Sequence, residues 1–122
     1  MIINHVSVGA SNVEKSAAFY DKVLATLGIS RSHTIEGEAI SYGTNFEFWV
    51  GCICGKHSIS GTGTHIAFNA PTEESVKAFH AVAIENGGLC AGEPGPRPEY
   101  GDAYYAAYIH DLDGNKIEAV CT

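Results

Sequence analysis

Apolar and polar positions repeat along the chain with a shift of 60 residues. At that shift His5-Val6-Ser7-Val8 overlays His65-Ile66-Ala67-Phe68 without a gap, and Gly28 overlays Gly88. Internal self-similarity of this length indicates two copies of one structural unit. We therefore expect a single domain over residues 1–122, made of one module at 1–60 and a second at 61–122.

Each module is predicted to begin with a strand and a helix. Residues 2–9 and 64–70 alternate small or polar with β-branched or aromatic side chains, which is typical of strands. Ser11 or Asn12 is the expected N-cap of the first helix, and Thr72 that of the second. Apolar side chains then recur at helical spacing: Val13, Ala17, Tyr20, Leu24 and Leu27 in the first helix, and Val76, Phe79, Val82 and Ala83 in the second.

Shorter strands are predicted after each helix. A turn is expected at Asp111–Asn115, and Gly92–Asp102 is predicted to be an additional loop rich in Gly and Pro. The expected fold is α+β, with two tandem βαβββ modules whose open curved sheets each have a helix behind them. We place these strands at 38–43, 45–53, about 103–110 and 115–121, and one further strand in each module has no clear position.

Strand parity puts one His and one Glu of each module on the face away from the helix. Alternate residues of the opening strands face the helix, which leaves His5 and His65 on the opposite side. On the closing strands Glu47 and Glu118 lie between apolar neighbours, at places that we interpret as corresponding. A carboxylate on an apolar strand is unfavourable to bury unless it is paired or bound to a metal.

These four side chains form a candidate metal site. If a pseudo-twofold axis relates the two modules, it brings His5, Glu47, His65 and Glu118 together at the centre of a concave surface. Imidazole and carboxylate ligands suit one divalent ion of zinc, nickel, iron(II) or manganese, whereas softer metals prefer thiolate. Two His and one carboxylate are also the facial set of non-haem iron oxygenases.

Charge and cysteine content narrow the class of protein. The formal net charge is −7, and the few basic residues are scattered, so we expect neither nucleic acid nor a membrane as partner. The opening residues MIINHVSVGA do not resemble a secretory signal, and we expect a cytoplasmic protein. The four cysteines are then expected to be reduced thiols.

Four segments of the sequence resemble the vicinal-oxygen-chelate superfamily, which includes glyoxalases, bleomycin-resistance proteins and extradiol dioxygenases. They are the opening HVSV, the helix end AFYDKVLATLGI, the second opening HIAF, and the closing DLDGNKIEAV. The last is similar to the family pattern D-P-D-G-N-x-I-E, with Leu112 in place of the usual Pro. The resemblance covers essentially the whole chain.

The resemblance implies the same paired βαβββ modules and a metal. It puts His5, His65 and Glu118 at the three shared ligand positions and Glu47 at the fourth, which glyoxalase I-like members use. The implied function is a metal-dependent lyase or isomerase that binds adjacent oxygens of a small substrate and stabilises an enediolate-type anion, with Glu118 or Glu47 as general base. The alternatives are an extradiol-type iron(II) dioxygenase and a bleomycin-resistance-type binder without catalysis.

Further side chains are candidates for the same surface. By parity Tyr104 and Tyr108 line the concave side, where Tyr104 could stabilise an oxyanion and Tyr108 could contact substrate, or both could only form the wall. Trp49 shares the face of Glu47 and could stack on a planar substrate or act as filler. Arg97 could bind a substrate carboxylate or remain solvated, and Asn69 shares the face of His65.

The small modules leave open sheet edges, and we expect a symmetric homodimer that covers them. The connection around Lys56–Thr64 is rich enough in Gly, Ser and Thr for the modules to pair either within one chain or between two.

Overall fold

The fold consists of two βαβββ units that follow one another along the chain. The computed structural model describes residues 3–51 and 64–122. The first unit contains β1 (Val6–Val8), α1 (Val13–Ala25), β2 (Arg31–Ile35), β3 (Ala39–Tyr42) and β4 (Phe48–Gly51). The second contains β5 (His65–Asn69), α2 (Glu73–Glu85), β6 (Leu89–Pro96), β7 (Tyr105–His110) and β8 (Lys116–Cys121). Both units have the predicted order βαβββ, and the predicted α+β fold with two tandem modules is confirmed.

Each unit has one four-stranded mixed sheet. The strand orders are β1-β4-β3-β2 and β5-β8-β7-β6, so the opening strand of each unit lies beside its closing strand. These two neighbouring strands run parallel, whereas the other pairs are antiparallel. The parallel pairing requires a crossover connection, and the helix supplies part of it in each unit.

The two helices begin where their capping residues predict. Asn12 caps α1, and its side chain accepts a hydrogen bond from the Lys15 N–H at 2.9 Å. Thr72 caps α2 in a reciprocal capping box with Ser75. Each helix is 13 residues long. Neither helix in the described part of the chain has the length and apolar character needed to cross a membrane.

One hydrophobic core serves both units. Helix α1 packs against α2, and each helix also packs on the sheet of its own unit. The rings of Phe48 and Phe68 meet edge to face at 4.9 Å, which joins the helix-facing sides of the two sheets. Each sheet buries its helix-facing side in this shared core. The opposite side of each sheet therefore forms a concave surface. The largest fully buried side chains include Tyr20, Tyr42, Phe19, Phe79, Leu24, Ile40, Ile109 and Ile117.

The turn between β7 and β8 ties the second unit to the first. Asp111 is buried and accepts hydrogen bonds from the Tyr20 hydroxyl at 2.6 Å and from the Asn115 side chain at 2.8 Å. The Asn115 side chain also donates to the backbone oxygen of Gly9. The motif DLDGN therefore has a structural role at the junction of the two units.

Three predictions of local structure are wrong in detail. The opening strand is shorter than the predicted 2–9. The strand predicted at 45–53 begins only at Phe48, because Phe46 has a positive φ of 58° and is 48% exposed just before β4. The predicted loop Gly92–Asp102 begins inside β6, which tolerates Gly and Pro because it is an edge strand with irregular register. The described residues do not include 52–63. This range contains Cys52, Cys54, the end of the strand predicted at 45–53 and most of the connection between the modules.

Candidate functional site

The concave face of the second sheet has a cavity lined mainly by polar and charged side chains. Strand alternation on β7 and β8 turns Tyr108 and Glu118 to this face, as predicted, while Ile109 and Ile117 point into the core. The cavity has a volume of about 640 Å³. Its lining includes His65, Gly92, Arg97, Tyr100, Tyr104, Tyr108, Lys116 and Glu118.

Glu118 is the centre of a short chain of hydrogen bonds. Only 2% of the residue is exposed. Its Oε1 lies 2.8 Å from Nε2 of His65, and its Oε2 accepts a 2.6 Å hydrogen bond from the hydroxyl of Tyr104. Both partners reach it because β5 lies beside β8, and because Tyr104 immediately precedes β7. A buried carboxylate needs such partners, since desolvation otherwise disfavours its charge.

Tyr104 and Tyr108, two of the tyrosines that line the cavity, hold their protons at neutral pH. The hydrogen bond to Glu118, followed by burial, raises the pKa of Tyr104 to about 12. Burial, followed by the charge of Glu118, also raises the pKa of Tyr108. Both hydroxyls are therefore hydrogen-bond donors under ordinary conditions and are not suited to act as bases.

Two cationic side chains lie over the ring of Tyr108. The guanidinium carbon of Arg97 is 5.4 Å from the ring centroid, and Nζ of Lys116 is 5.1 Å from it. The Arg97 guanidinium also donates to backbone oxygens of Gly95 and Glu93. These bonds fix its position at the rim of the cavity, where the sequence had suggested an Arg over a pocket.

The other two predicted ligands lie directly before strands β1 and β4 of the first sheet. His5 is exposed, with Nδ1 2.7 Å from the side-chain oxygen of Asn4. Glu47 is also exposed, and its Oε1 accepts a hydrogen bond from the Asn45 N–H at 2.7 Å. Glu47 lines a second, smaller cavity of about 350 Å³ together with Arg31, Tyr42 and Phe68. Trp49 on β4 is half-buried, and its ring centroid lies 6.5 Å from that of His33.

The structure thus brings together two of the four predicted ligands. His65 and Glu118 are in contact. Within residues 3–51 and 64–122, neither His5 nor Glu47 joins them in a group of three whose ligand atoms all lie within 4.8 Å of one another. Asn69, predicted to share the face of His65, lies exposed at the end of β5.

The register of the two sheets corrects one expected equivalence. Val6 pairs with Phe48 in the first sheet, and Ile66 pairs with Ile117 in the second. The residue that follows on the closing strand is Trp49 in one case and Glu118 in the other. Glu47 and Glu118 are therefore not at corresponding places, and the sequence-based match is wrong by two residues.

A sequence profile of the glyoxalase/bleomycin resistance protein/dioxygenase superfamily matches residues 2–119. The chain belongs to this superfamily. Comparison with solved structures agrees: a glyoxalase/bleomycin resistance protein from Albidiferax ferrireducens is 36% identical, with complete coverage of both chains and a TM-score of 0.89.

Two further solved structures have lower sequence identity and are similar to this chain in fold. A glyoxalase-related enzyme from Fulvimarina pelagi is 19% identical over 98% of this chain and 87% of its own, with a TM-score of 0.75. A lactoylglutathione lyase from Agrobacterium tumefaciens is 16% identical over 99% of this chain and 92% of its own, with a TM-score of 0.68. No curated protein matches the chain.

Two features of this superfamily member were missed by sequence reasoning. Lys116 belongs to the cavity wall, a position that strand parity on β8 could have indicated because it shares the face of Glu118. His80 on α2 is buried, and its Nε2 is 3.2 Å from the sulfur of Cys90.

Proposed function

We propose that the chain is a metal-dependent lyase or isomerase of the glyoxalase-like type, acting on a small substrate with two adjacent oxygens. The observation that carries this proposal is the environment of Glu118. Its carboxylate is buried between His65 and Tyr104 at the wall of a cavity large enough for a small molecule. A buried carboxylate in an accessible cavity is a typical feature of a reactive or metal-binding site.

The donor set fits a divalent metal ion. An imidazole nitrogen and a carboxylate oxygen 2.8 Å apart are ligands of the type that zinc, nickel, iron(II) and manganese accept. We propose that His65 and Glu118 hold the ion and that His5 and Glu47 complete the set. A bound ion would stabilise negative charge on substrate oxygens as a Lewis acid.

The chain's own groups supply proton transfer and orientation. Glu118, or Glu47, is proposed to accept a proton from a carbon next to a substrate carbonyl. Tyr104 keeps its proton, because its pKa is about 12, and donates a hydrogen bond either to the carboxylate or to developing negative charge on the substrate. We therefore propose that Tyr104 stabilises negative charge through this hydrogen bond and does not act as a base.

Cations at the rim favour a substrate with an acidic group. Arg97 and Lys116 both lie over the ring of Tyr108, within a chain of net charge −7. An arginine can bind a carboxylate with two hydrogen bonds. To do so, Arg97 first has to break its hydrogen bonds to the backbone oxygens of Gly95 and Glu93. Trp49 and Asn69 are proposed to contact the remainder of the substrate.

We further propose that a homodimer builds the site from two chains. In one chain each sheet turns its helix-facing side into the shared core, and the faces of His5 and His65 lie away from it. A twofold axis between copies would let the first sheet of one chain meet the second sheet of its partner. Two such sites would then form in each dimer.

Metal analysis tests the proposal without knowledge of the substrate. Protein purified without chelator is expected to retain a divalent ion, and His65→Ala and Glu118→Gln should each lower metal affinity by more than about tenfold, because loss of even an indirect partner costs about 10- to 100-fold. His110→Ala is the matched control, since His110 is on β7 but does not line the cavity. Wild-type protein that binds no divalent ion, but binds planar ligands, would contradict the proposal and favour a bleomycin-resistance-type binder.

A second function is favoured by the position of Trp49. Because Trp49 stands where register symmetry with Glu118 would put a fourth carboxylate, His5, His65 and Glu118 could form a three-residue facial set for iron(II). The alternative is an extradiol-type dioxygenase. Oxygen uptake after anaerobic iron loading, with a panel of catechols, tests that activity.

Glu47→Gln separates the two functions. The four-ligand lyase or isomerase predicts that this variant loses metal affinity by more than about tenfold. Unchanged affinity would remove Glu47 from the ligand set and favour the three-ligand alternative.

A further inference from the structure

A second group of metal-ligand side chains lies between α2 and β6, outside the cavity. His80 on α2 is buried, with 7% of the residue exposed. Its Nε2 is 3.2 Å from Sγ of Cys90, and that sulfur is 3.4 Å from Oε1 of Glu93. All three donor atoms lie within 4.8 Å of one another, and within the described residues this is the only group of three or more His, Cys, Asp or Glu side chains that meets that spacing.

Irregular register in β6 creates this arrangement. In a regular strand residues three apart, such as Cys90 and Glu93, point to opposite faces. Here Cys90 pairs with Ile109 and Gly92 pairs with Tyr108, so β6 contains one extra residue across that interval. Because of the extra residue, Cys90 lies opposite the core residue Ile109, whereas Gly92 lies opposite the cavity residue Tyr108. Glu93 then points to the same face of the sheet as Cys90. The cluster therefore lies on the helix side of the sheet.

The fold itself does not require a histidine at this place. Helices α1 and α2 are both 13 residues long and begin at Val13 and Glu73, so Tyr20 is the counterpart of His80. Tyr20 is fully buried and donates to Asp111. The same helical position is thus filled by a packing residue in the first unit and by a metal-ligand type in the second.

We propose that His80, Cys90 and Glu93 form a second metal site, selective for a borderline divalent ion such as zinc. Ligand atoms about 2.0–2.3 Å from a tetrahedral ion are separated from one another by roughly 3.5 Å, close to the separations of the sulfur from its two neighbours. Cys90 and Glu93 are exposed and give the ion access, and water supplies the fourth ligand. Binding releases the thiol proton, because the metal takes the thiolate.

The ion would fasten β6 to α2 behind the cavity. The same stretch of β6 contributes Gly92 to the cavity, and the backbone oxygen of Glu93 receives a hydrogen bond from Arg97 at 2.7 Å. A metal on the helix side would therefore brace the strand that positions Arg97. This site is independent of the proposed function, since it shares no ligand with the site at Glu118.

Cadmium and cobalt(II) titrations distinguish the two sites, because only a site with sulfur gives thiolate-to-metal charge-transfer absorption. We expect wild-type protein to develop this absorption with one equivalent of metal. The band should be lost in Cys90→Ser and require more than about tenfold higher metal concentration in Glu93→Gln. Cys121→Ser and the double variant Cys52→Ser/Cys54→Ser are controls that should keep it.

Thermal unfolding gives a second measurement on the same proteins. Zinc should raise the Tm of Glu118→Gln, in which the cavity site is impaired, and this rise should disappear when Cys90→Ser is added. A charge-transfer band that persists in Cys90→Ser, or its absence from wild-type protein, would overturn the proposal. In the second case the three residues form only a hydrogen-bonded thiol.

Discussion

Trp49 lies in the first sheet at the register position that Glu118 occupies in the second. Val6 and Ile66 directly follow the opening histidines, and they pair with Phe48 and Ile117. Trp49 and Glu118 are the next residues on those closing strands. An indole cannot act as a metal ligand in the manner of a carboxylate. The two units are therefore symmetric in backbone and asymmetric in chemistry.

Trp49→Glu tests whether this position faces the metal. If residue 49 faces the metal as Glu118 does, a carboxylate at this position should become a ligand. The affinity for zinc or nickel should then rise by about tenfold or more. Isothermal titration on metal-free protein measures this. Trp49→Gln is the control for loss of the indole, and equal affinities of the Glu and Gln variants would show that residue 49 points away from the ion.

Tyr20→Phe tests the junction between the two units. Its hydroxyl is buried and donates to the carboxylate of Asp111 at 2.6 Å. Removal of a hydrogen bond to a charged, buried acceptor is expected to lower the free energy of unfolding by about 1.5–3 kcal/mol. Urea denaturation measures it. Tyr100→Phe, at a residue that is 65% exposed, should change stability by less than about 0.5 kcal/mol, and an equally small effect for Tyr20→Phe would contradict this role of the turn.

Ionisation of Tyr104 should occur late in an alkaline titration. The hydrogen bond to Glu118 raises its pKa to about 12, above the ordinary value of about 10. Since the folded value is the higher one, the stabilising contribution is complete below about pH 10 and is lost as the pH rises through about 12. Stability attributable to this hydroxyl should therefore fall only in that alkaline window.

The difference in ultraviolet absorption between wild-type protein and Tyr104→Phe measures this ionisation in metal-free protein. We expect the difference to titrate near pH 12, and to move to lower pH when both proteins also carry Glu118→Gln. A midpoint near pH 10 in the otherwise wild-type protein would mean that the hydrogen bond is absent in solution.

Much of the fold follows from local sequence signals. Asn12 and Thr72 mark the helix starts because their side chains satisfy backbone N–H groups that a helix leaves free. Alternation on β7 and β8 predicts which side chains face the cavity, and Tyr108 and Glu118 lie there. These signals are reliable because each depends on neighbours within a few residues.

The remainder depends on irregularities that spacing does not reveal. Strand β2 is mostly exposed and lacks an alternating pattern, so nothing in the residues Arg31–Ile35 marks it as a strand. Strand β6 passes through Gly and Pro because it is an edge strand with shifts in register. Phe46 has a positive φ just before β4, at the place where the sequence-based match between Glu47 and Glu118 fails. His80 is buried because α2 packs on its sheet, which helical spacing alone does not reveal.

The proposed two-chain metal site is tested most directly by mixing two variants. His5→Ala and Glu118→Gln, each prepared with Cys90→Ser to remove the second site, are expected to bind zinc weakly alone. After subunit exchange and purification of the heterodimer by two different tags, one site carries both changes and the other carries none. We predict one zinc ion of wild-type affinity per heterodimer. Demonstrated exchange without any recovery of binding would contradict a site shared between chains.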